Sequence, residues 1–329
     1  MTAGGVVLPV STLYPDTRIR QIVEDSGMKA WVNTTAEYDS KLDRQILILN
    51  LEEAIQSESS LSELTFKRNR PLYVLYTSGT TGFPKGVLVE QQALINRIQW
   101  QQSHFQLTAE DIVLHKTSLT FDVSMWEIIW PLMHGASLFV LPETMELETL
   151  KLTQLINEEK ISVMHFVPSM LEIFLSSSMH IQYPHLRQVY CSGEVLTTKH
   201  VAAFYDVFSR DVTRLTNLYG PTEAAIDVTY MDCDEIKGEK VPIGKPIQNT
   251  SLYIFDDHLN LLPRGTVGEL AIGGIAVQTG YLNRPELNKE KYSFTKWYDS
   301  GHLYRTGDHA MLTDDGFIQF VGRKDDQVK

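Results

Sequence analysis

The sequence predicts an α/β protein whose layers rest on largely parallel sheets and give way to a small antiparallel β-barrel. Through residues 1–240, short apolar runs alternate with segments of helical period, the pattern of strand–helix layers on a parallel sheet. Beyond Val241, short alternating strands follow one another with turn residues between them. The chain has 329 residues, 43% apolar and 21% charged, a soluble globular composition with room for about two to three domains.

Gly4–Val10 reads as a strand and Arg18–Val23 as a short helix, with Asp16 placed to cap it. Ala30–Val32 and Ile46–Leu49 read as buried strands, and the polar stretch Glu52–Lys67 as a surface connection. The apolar run Leu72–Leu75 is a strand that delivers the loop Tyr76–Gly86, after which Gln91–Phe105 is helical with Leu94, Ile98 and Phe105 near one face. A helix begins close to Asp122. Then come a strand at Ala136–Leu141, a helix at Leu147–Glu159, a strand at Ile161–Phe166 and a helix opening at Pro168–Phe174. Gln188–Cys191 and Arg214–Leu218 are strands around a helix at Thr197–Phe208. The later strands are Leu252–Phe255, Gly268–Ile272 and Gly316–Val321, separated by Asp256-Asp257, Pro263-Arg264-Gly265 and Asp314-Asp315-Gly316.

Composition removes several functions. A net charge of −12 with no basic run argues against a nucleic-acid binder. No apolar run approaches about 18 residues, so no membrane span is expected. Cys191 and Cys233 make neither a disulfide framework nor a metal set, and the N-terminus lacks the regions of a signal peptide. Reduced thiols in a cytoplasmic protein are the expectation.

The loop Tyr76-Thr77-Ser78-Gly79-Thr80-Thr81-Gly82-Phe83-Pro84-Lys85-Gly86 combines five hydroxyl side chains, three glycines and one lysine. Glycines bring backbone N–H groups close to an anion, threonines donate further bonds and lysine adds a point charge, chemistry that suits a polyphosphate. The bland alternative is a polar surface turn, which leaves the closing Pro84-Lys85-Gly86 without a reason. The spacing is not that of the common P-loop, because two residues separate Gly82 from Lys85. Asp122 lies between apolar residues at a helix start, where it can serve as an N-cap, as a carboxylate for a ligand ammonium, or as both. His165 at a strand end is by itself an ordinary structural histidine. In Asn217-Leu218-Tyr219-Gly220-Pro221-Thr222-Glu223, Tyr219 offers a face to a purine and Asn217 an amide to an adenine edge. Thr222 can reach a phosphate oxygen, and Glu223 is a hard oxygen ligand suited to Mg²⁺. Asp308 can accept from two vicinal hydroxyls or be a turn aspartate. The charged end Gly322–Lys329 reads by itself as a solvated tail.

The loop Tyr76–Gly86 resembles the phosphate-loop signature of the adenylate-forming, AMP-binding superfamily, which includes acyl-CoA synthetases, luciferases and nonribosomal peptide synthetase adenylation domains. Tyr219–Glu223, Gly268-Glu269-Leu270, Gly280-Tyr281-Leu282-Asn283 and Tyr304-Arg305-Thr306-Gly307-Asp308 match further motifs of that superfamily, so the resemblance covers essentially the whole chain. Asp122, within Phe121–Trp130, matches the aspartate that holds the substrate α-amino group in peptide-synthetase adenylation domains. Acyl-CoA synthetases and luciferases generally lack it. The chain therefore resembles an adenylation domain of a nonribosomal peptide synthetase.

The resemblance implies two α/β layered subdomains, 1–110 with the phosphate loop and 111–240 with an amino-acid pocket, and a β-barrel-like subdomain at 241–329. It implies ATP and Mg²⁺ as cofactors. Thr77, Ser78, Thr80, Thr81 and Lys85 would surround the phosphates, with Thr222 and Glu223 at the reacting centre and Glu223 holding the metal. Gly193, Glu194, Asn217, Tyr219, Gly220, Asp308, Phe320 and Arg323 would contact the nucleotide, and Asp325 would be a hinge before a mobile lid. Superfamily members carry a segment before this core and a lid after it, so a core fragment is expected. Phosphopantetheine is expected only on a separate downstream carrier domain. The implied partners are a small amino acid and the carrier protein and condensation domains of a multimodular synthetase, with no nucleic acid and no membrane.

Mapped by motif position, the amino-acid pocket is Asp122, Val123, Trp126, His165, Tyr190, Ser192, Leu218, Ile226 and Asp227. Trp126 and Tyr190 make it small, while His165 and Asp227 add polar groups, so a small hydroxylated amino acid is expected. The set is also similar to the family's serine-selecting pattern, although Tyr190 occupies a place that varies. Val123, Leu218 and Ile226 are equally at home as plain core. Two other readings share the pattern: an acyl- or aryl-CoA synthetase, against which Asp122 argues, and a non-catalytic nucleotide-binding fragment. A P-loop NTPase fails on spacing.

Overall fold

The computed structural model describes residues 4–33, 46–50, 70–77, 83–142, 145, 148–178, 181–236, 238–295 and 298–324. The reading of Glu52–Lys67 as a surface connection lies outside them. Helix α1 spans Asp16–Ser26, and strands β1 (Ala30–Asn33) and β2 (Leu47–Asn50) pair in parallel. The expected cap differs: Pro15 holds the N-cap position and Asp16 is the first helical residue, so its charge adds to the helix N-terminus instead of capping it. The expected strand at Gly4–Val10 reduces to one parallel bridge between Val7 and Tyr73.

β3 (Pro71–Thr77) and β4 (Lys85–Glu90) form an antiparallel hairpin. The sequence reading passed straight from the loop to a helix and missed β4, although Val87 and Val89 alternate as half-buried strands do and are fully buried. Lys85 therefore sits in β4 opposite Thr77.

Helix α2 (Gln91–Phe105) leads into a seven-stranded sheet. Its parallel strands are β5 (Ile112–His115), β6 (Ser137–Val140), β7 (Val163–Phe166), β8 (Gln188–Cys191) and β9 (Arg214–Tyr219). β10 (Thr229–Asp232) and β11 (Lys245–Pro246) continue it antiparallel, giving the order β11-β10-β9-β8-β7-β5-β6. The crossovers contain α3 (Val123–His134), α4 (Thr149–Glu158), α5 (Pro168–Ser177) and α6 (Thr198–Val207). No strand is read from the sequence at β5, β10 or β11. Asp122 holds the N-cap position of α3 with helical backbone angles, φ −64° and ψ −27°, and its side chain makes no cap bond, so the N-cap reading is corrected.

Both sheet faces are covered, and alternation along the strands sorts side chains between them. Met164, Phe166, Val189, Cys191 and Leu215 face one core with α4, α5 and α6. Val163, Tyr190 and Leu218 face the other, where α2 and α3 bring Phe105, Trp126 and Trp130. Beyond the sheet, β12 (Thr250–Phe255), β13 (Gly268–Gly274), β14 (Tyr292–Thr295), β15 (Tyr298–Leu312) and β16 (Ile318–Arg323) make the expected antiparallel half-barrel, with α7 (Pro285–Lys291) before β14. Among the described residues no helix is long and apolar enough to cross a membrane. Cys191 and Cys233 are free and buried.

Candidate active site

Parallel sheets leave a crevice at the carboxyl ends of their strands, and most of the candidate residues converge there. β5 ends before the loop to Asp122, β8 before Ser192, and β9 at Tyr219 before Gly220–Asp227. Glu127, fully buried in α3, fixes the first of these loops. It accepts from His115 Nδ1 at 2.8 Å, from the N–H groups of Lys116 and Thr117 at 3.2 and 3.1 Å, and from Thr117 Oγ1 at 2.7 Å.

Lys85 and Glu223 meet across the crevice, Nζ to Oε1 at 3.3 Å. Tyr281 joins them. Its hydroxyl donates to Glu223 Oε1 at 2.6 Å and accepts from Lys85 Nζ at 3.1 Å, and Lys85 stands 4.5 Å over its ring. Burial and the Glu223 charge raise the Tyr281 phenol far above its ordinary value, so it stays protonated as a donor. Glu223 Oε2 makes no bond among the described residues. No cluster of three or more acidic, histidine or cysteine ligands exists among those residues. That donor set suits Mg²⁺ carried on nucleotide phosphates, which takes only one or two protein carboxylates. Thr77, at the end of β3, has a buried hydroxyl without a partner among the described residues, on the strand leading to the loop.

A second cluster ties β9 to the half-barrel. Tyr219 Oη donates to Asp308 Oδ2 at 2.5 Å, and Arg323 Nη1 donates to Asp308 Oδ1 at 2.8 Å and to the Thr306 carbonyl at 2.9 Å. Gly307 bends the backbone here at φ +74°, and Phe320 packs half-buried on the main core.

The third cluster is the candidate amino-acid pocket. Asp122 is half-buried and receives a hydrogen bond from the Thr222 side chain. Burial, opposed by that bond and reinforced by Asp227 and Glu223, raises its carboxyl to about 7. Deeper in, His165 Nε2 lies 2.8 Å from Ser192 Oγ. Burial, with help from Lys116 and Arg97, lowers the His165 pKa well below its ordinary value and keeps the ring neutral. Trp126 crosses Tyr190 and His165 edge-on at centroid distances of 5.5 and 6.3 Å. Val123, Leu218 and Ile226 belong to the adjoining core.

The loop Gly220–Asp227 carries Thr222 and Glu223 in a strained conformation. Ala225 and Ile226 take φ +55° and +79°, a region that β-branched residues avoid. A Cβ on Gly220 would collide with the Ile226 carbonyl, so the loop folds back on its own start only because that position is glycine. Asp227, 1% exposed, anchors the fold-back through Arg97, whose Nη2 and Nε donate to Oδ2 at 2.8 and 3.2 Å.

Other candidates point elsewhere. Asn217 Nδ2 donates to the Pro242 carbonyl at 2.9 Å, and Glu194, after Gly193 at φ +88°, accepts from the Ser169 N–H and hydroxyl at 3.0 Å each. Ser78, Thr80, Thr81 and Asp325 lie outside the described residues. Sequence reasoning gave no role to Tyr281, although it stands in a quoted motif, and none to Arg97. The signal for Arg97 was a charged residue on the apolar face of α2, four residues before Gln101 on the same face.

The description "AMP-binding enzyme" fits the family model that matches residues 1–282. Over its whole length the chain is 40% identical to zwittermicin A synthase ZmaJ of Bacillus cereus, of which it covers 64%. Over 99% of its length it is 37% identical to vanchrobactin synthetase VabF of Vibrio anguillarum, covering 12% of that protein. Over the same share of its length, 99%, it is 36% identical to enterobactin synthase component F of Escherichia coli (strain K12), covering 26%. The crystal structure of the nonribosomal peptide synthetase FmoA3 superposes on 98% of the chain with a TM-score of 0.87 at 27% identity, using 35% of that chain, and its AMPPNP-bound form gives 0.88. The chain thus spans less than two thirds of the length of each of these proteins. With the fold and the residues matched by the family model in agreement, the chain belongs to the AMP-binding enzyme family.

Proposed function

We propose that this chain is the core of an amino-acid adenylation domain of a nonribosomal peptide synthetase and that its substrate is L-serine. The observation that carries the reading is Asp122, a half-buried carboxylate at the strand-end crevice, standing between a polar aromatic pocket and the Lys85–Tyr281–Glu223 cluster. A carboxylate there holds an α-ammonium, which turns the substrate carboxylate toward the phosphate side. That carboxylate then attacks the α-phosphorus of ATP, a P–O bond forms, and pyrophosphate leaves as aminoacyl-AMP is made. Glu223 would hold a Mg²⁺ ion, which would supply charge neutralisation on the phosphates. Lys85 and the hydroxyls of Thr77, Ser78, Thr80 and Thr81 supply the rest, and Tyr281 keeps Lys85 and Glu223 in register. Tyr219, Asp308 and Arg323 form the ribose and purine side.

The chemistry of the pocket supports serine. Trp126 and Tyr190 limit its size, and a neutral His165 bonded to Ser192 presents polar groups that an aliphatic side chain would leave unpaired. The names of the relatives support the synthetase setting, where a carrier protein with its phosphopantetheine would receive the product beside a condensation domain. Thermal unfolding with non-hydrolysable acyl-adenylate analogues tests the reading, because selective binding to the native state raises the midpoint. A shift with the seryl analogue and none with fatty-acyl or aryl analogues is expected. A shift with only the latter would make the chain an acyl- or aryl-CoA synthetase. No shift with any would leave a fragment that does not form the site unaided.

A further inference from the structure

Arg97 has its side chain 1% exposed and lies against the candidate pocket. Its Nε and Nη2 donate to Asp227, its Nη1 donates to Gln101 Oε1 at 2.9 Å, and its Cζ stands 4.8 Å over the Trp100 ring. These bonds engage three of the five N–H groups of a guanidinium. A buried ion pair adds little net stability, because desolvation offsets the attraction, so its position is more telling than its strength. Arg97 acts electrostatically on both His165 and Tyr190, and Asp227 acts on both Asp122 and Tyr190. Asp227, next to Ile226, is itself one of the proposed pocket residues, so the pair borders the groups proposed to surround the substrate side chain. Trp126 Nε1, buried in the same cluster, completes no hydrogen bond among the described residues. The cluster is polar and buried, and any uncompensated charge in it would act strongly on a ligand.

We infer that Arg97 is a specificity-determining residue: paired with Asp227 it makes the pocket wall neutral overall, which selects a neutral polar side chain over an anionic or a cationic one. This rests on the amino-acid-activation reading. The pair works by exclusion. An anionic side chain finds the Arg97 guanidinium already engaged by Asp227, a cationic one finds the Asp227 carboxylate already engaged by Arg97, and neither can displace a partner held through two nitrogens. Cutting one member out exposes the charge of the other.

The test measures binding of seryl-, aspartyl- and 2,3-diaminopropionyl-adenylate analogues by calorimetry, on the wild type and on Asp227→Asn, Arg97→Met, Arg97→Lys and the double Arg97→Gln/Asp227→Asn. The wild type is expected to bind the seryl analogue most tightly. Asp227→Asn should improve the aspartyl-to-seryl affinity ratio by at least about tenfold, and Arg97→Met the diaminopropionyl-to-seryl ratio by a similar factor. Arg97→Lys and the double variant, with their charges still balanced, should keep the wild-type order. A uniform loss for all three analogues in the single variants would mean that Arg97 serves the fold alone, and the inference fails. Should the single variants not fold, a changed order in Arg97→Lys or in the double variant overturns it, and an unchanged one upholds it. A wild type that binds no aminoacyl analogue but does bind a fatty-acyl or aryl one overturns the activation reading, and this inference with it.

Discussion

Asp122 couples pH to both stability and binding. Its carboxyl is raised from 3.8 to about 7, first by burial and then by Asp227 and Glu223 against the Thr222 bond. The folded chain therefore holds a proton that the unfolded chain has released between those values, and this group's contribution to stability falls as pH rises through that window. Asp122→Asn removes the effect. Thermal unfolding near pH 8 should show the variant more stable by on the order of 1–3 kcal/mol, a gain that vanishes near pH 4. Its binding of the seryl analogue should be lost by about 100-fold or more, as expected where a ligand ammonium loses its counter-charge. In the wild type an arriving ammonium displaces the proton, so affinity should weaken by up to about tenfold per unit as pH falls below 7; a flat profile between pH 5.5 and 8 would remove Asp122 from the amine site. Tyr281 offers a second residue-scale outcome. Tyr281→Phe deletes a donor to Glu223 and an acceptor for Lys85, and should raise the KM for ATP about 10-fold or more while the KM for the amino acid changes little.

At the scale of elements, the informative unit is the loop Gly220–Asp227 between two strands of one sheet. Its two left-handed residues persist because β9 and β10 fix its ends and Arg97 holds Asp227. Gly220→Ala drives a methyl into backbone that cannot yield, and urea unfolding should report a loss of about 2–4 kcal/mol with activity falling in parallel. Ala225→Gly should behave in the opposite way. It relieves the left-handed penalty at a position already fully buried, so stability should hold or rise by up to about 1 kcal/mol. Stability that drops by more than that would mean that the methyl's packing outweighs the backbone strain. The glycine was legible in the sequence as part of a motif, but the reason for it was not. The atom it avoids, the Ile226 carbonyl, comes near only when the loop closes.

Across the whole molecule, the half-barrel and the seven-stranded sheet share one apolar core, and a few buried polar contacts join them as well. Asp308, 2% exposed, takes bonds from Tyr219 on β9 and Arg323 on β16, and Gln278 N–H donates to the Glu223 carbonyl at 3.1 Å while its Oε1 accepts from the Glu90 N–H at 2.8 Å. Asp308→Ala removes the carboxylate that Arg323 and the buried Tyr219 phenol share. Its expected cost is about 3–5 kcal/mol in denaturant unfolding, together with loss of the stabilisation given by AMP. A cost below about 1 kcal/mol would mean that the two parts do not depend on this contact. The same joints explain why this site needs the entire chain: Lys85, Glu223 and Tyr281 come from sequence-distant elements and meet within 3.3 Å.

The alternation of β6–β9 with helices, the antiparallel character of the later strands and the family are legible in the sequence, because short-range periodicity and long motifs are written locally. The sequence also put Asp122, Glu223 and Asp308 among the candidates, since their residue types carry the chemistry wherever they sit. Their partners come from the fold, which turns Asp227 to Arg97 and Asn217 to Pro242, pairs β4 with β3, and gives Tyr281 a place between Lys85 and Glu223. The physical reason is range. Periodicity and turn chemistry act over a few residues, whereas a buried charge takes whichever counter-charge the packing brings to it, here from 130 positions away in the Arg97–Asp227 pair.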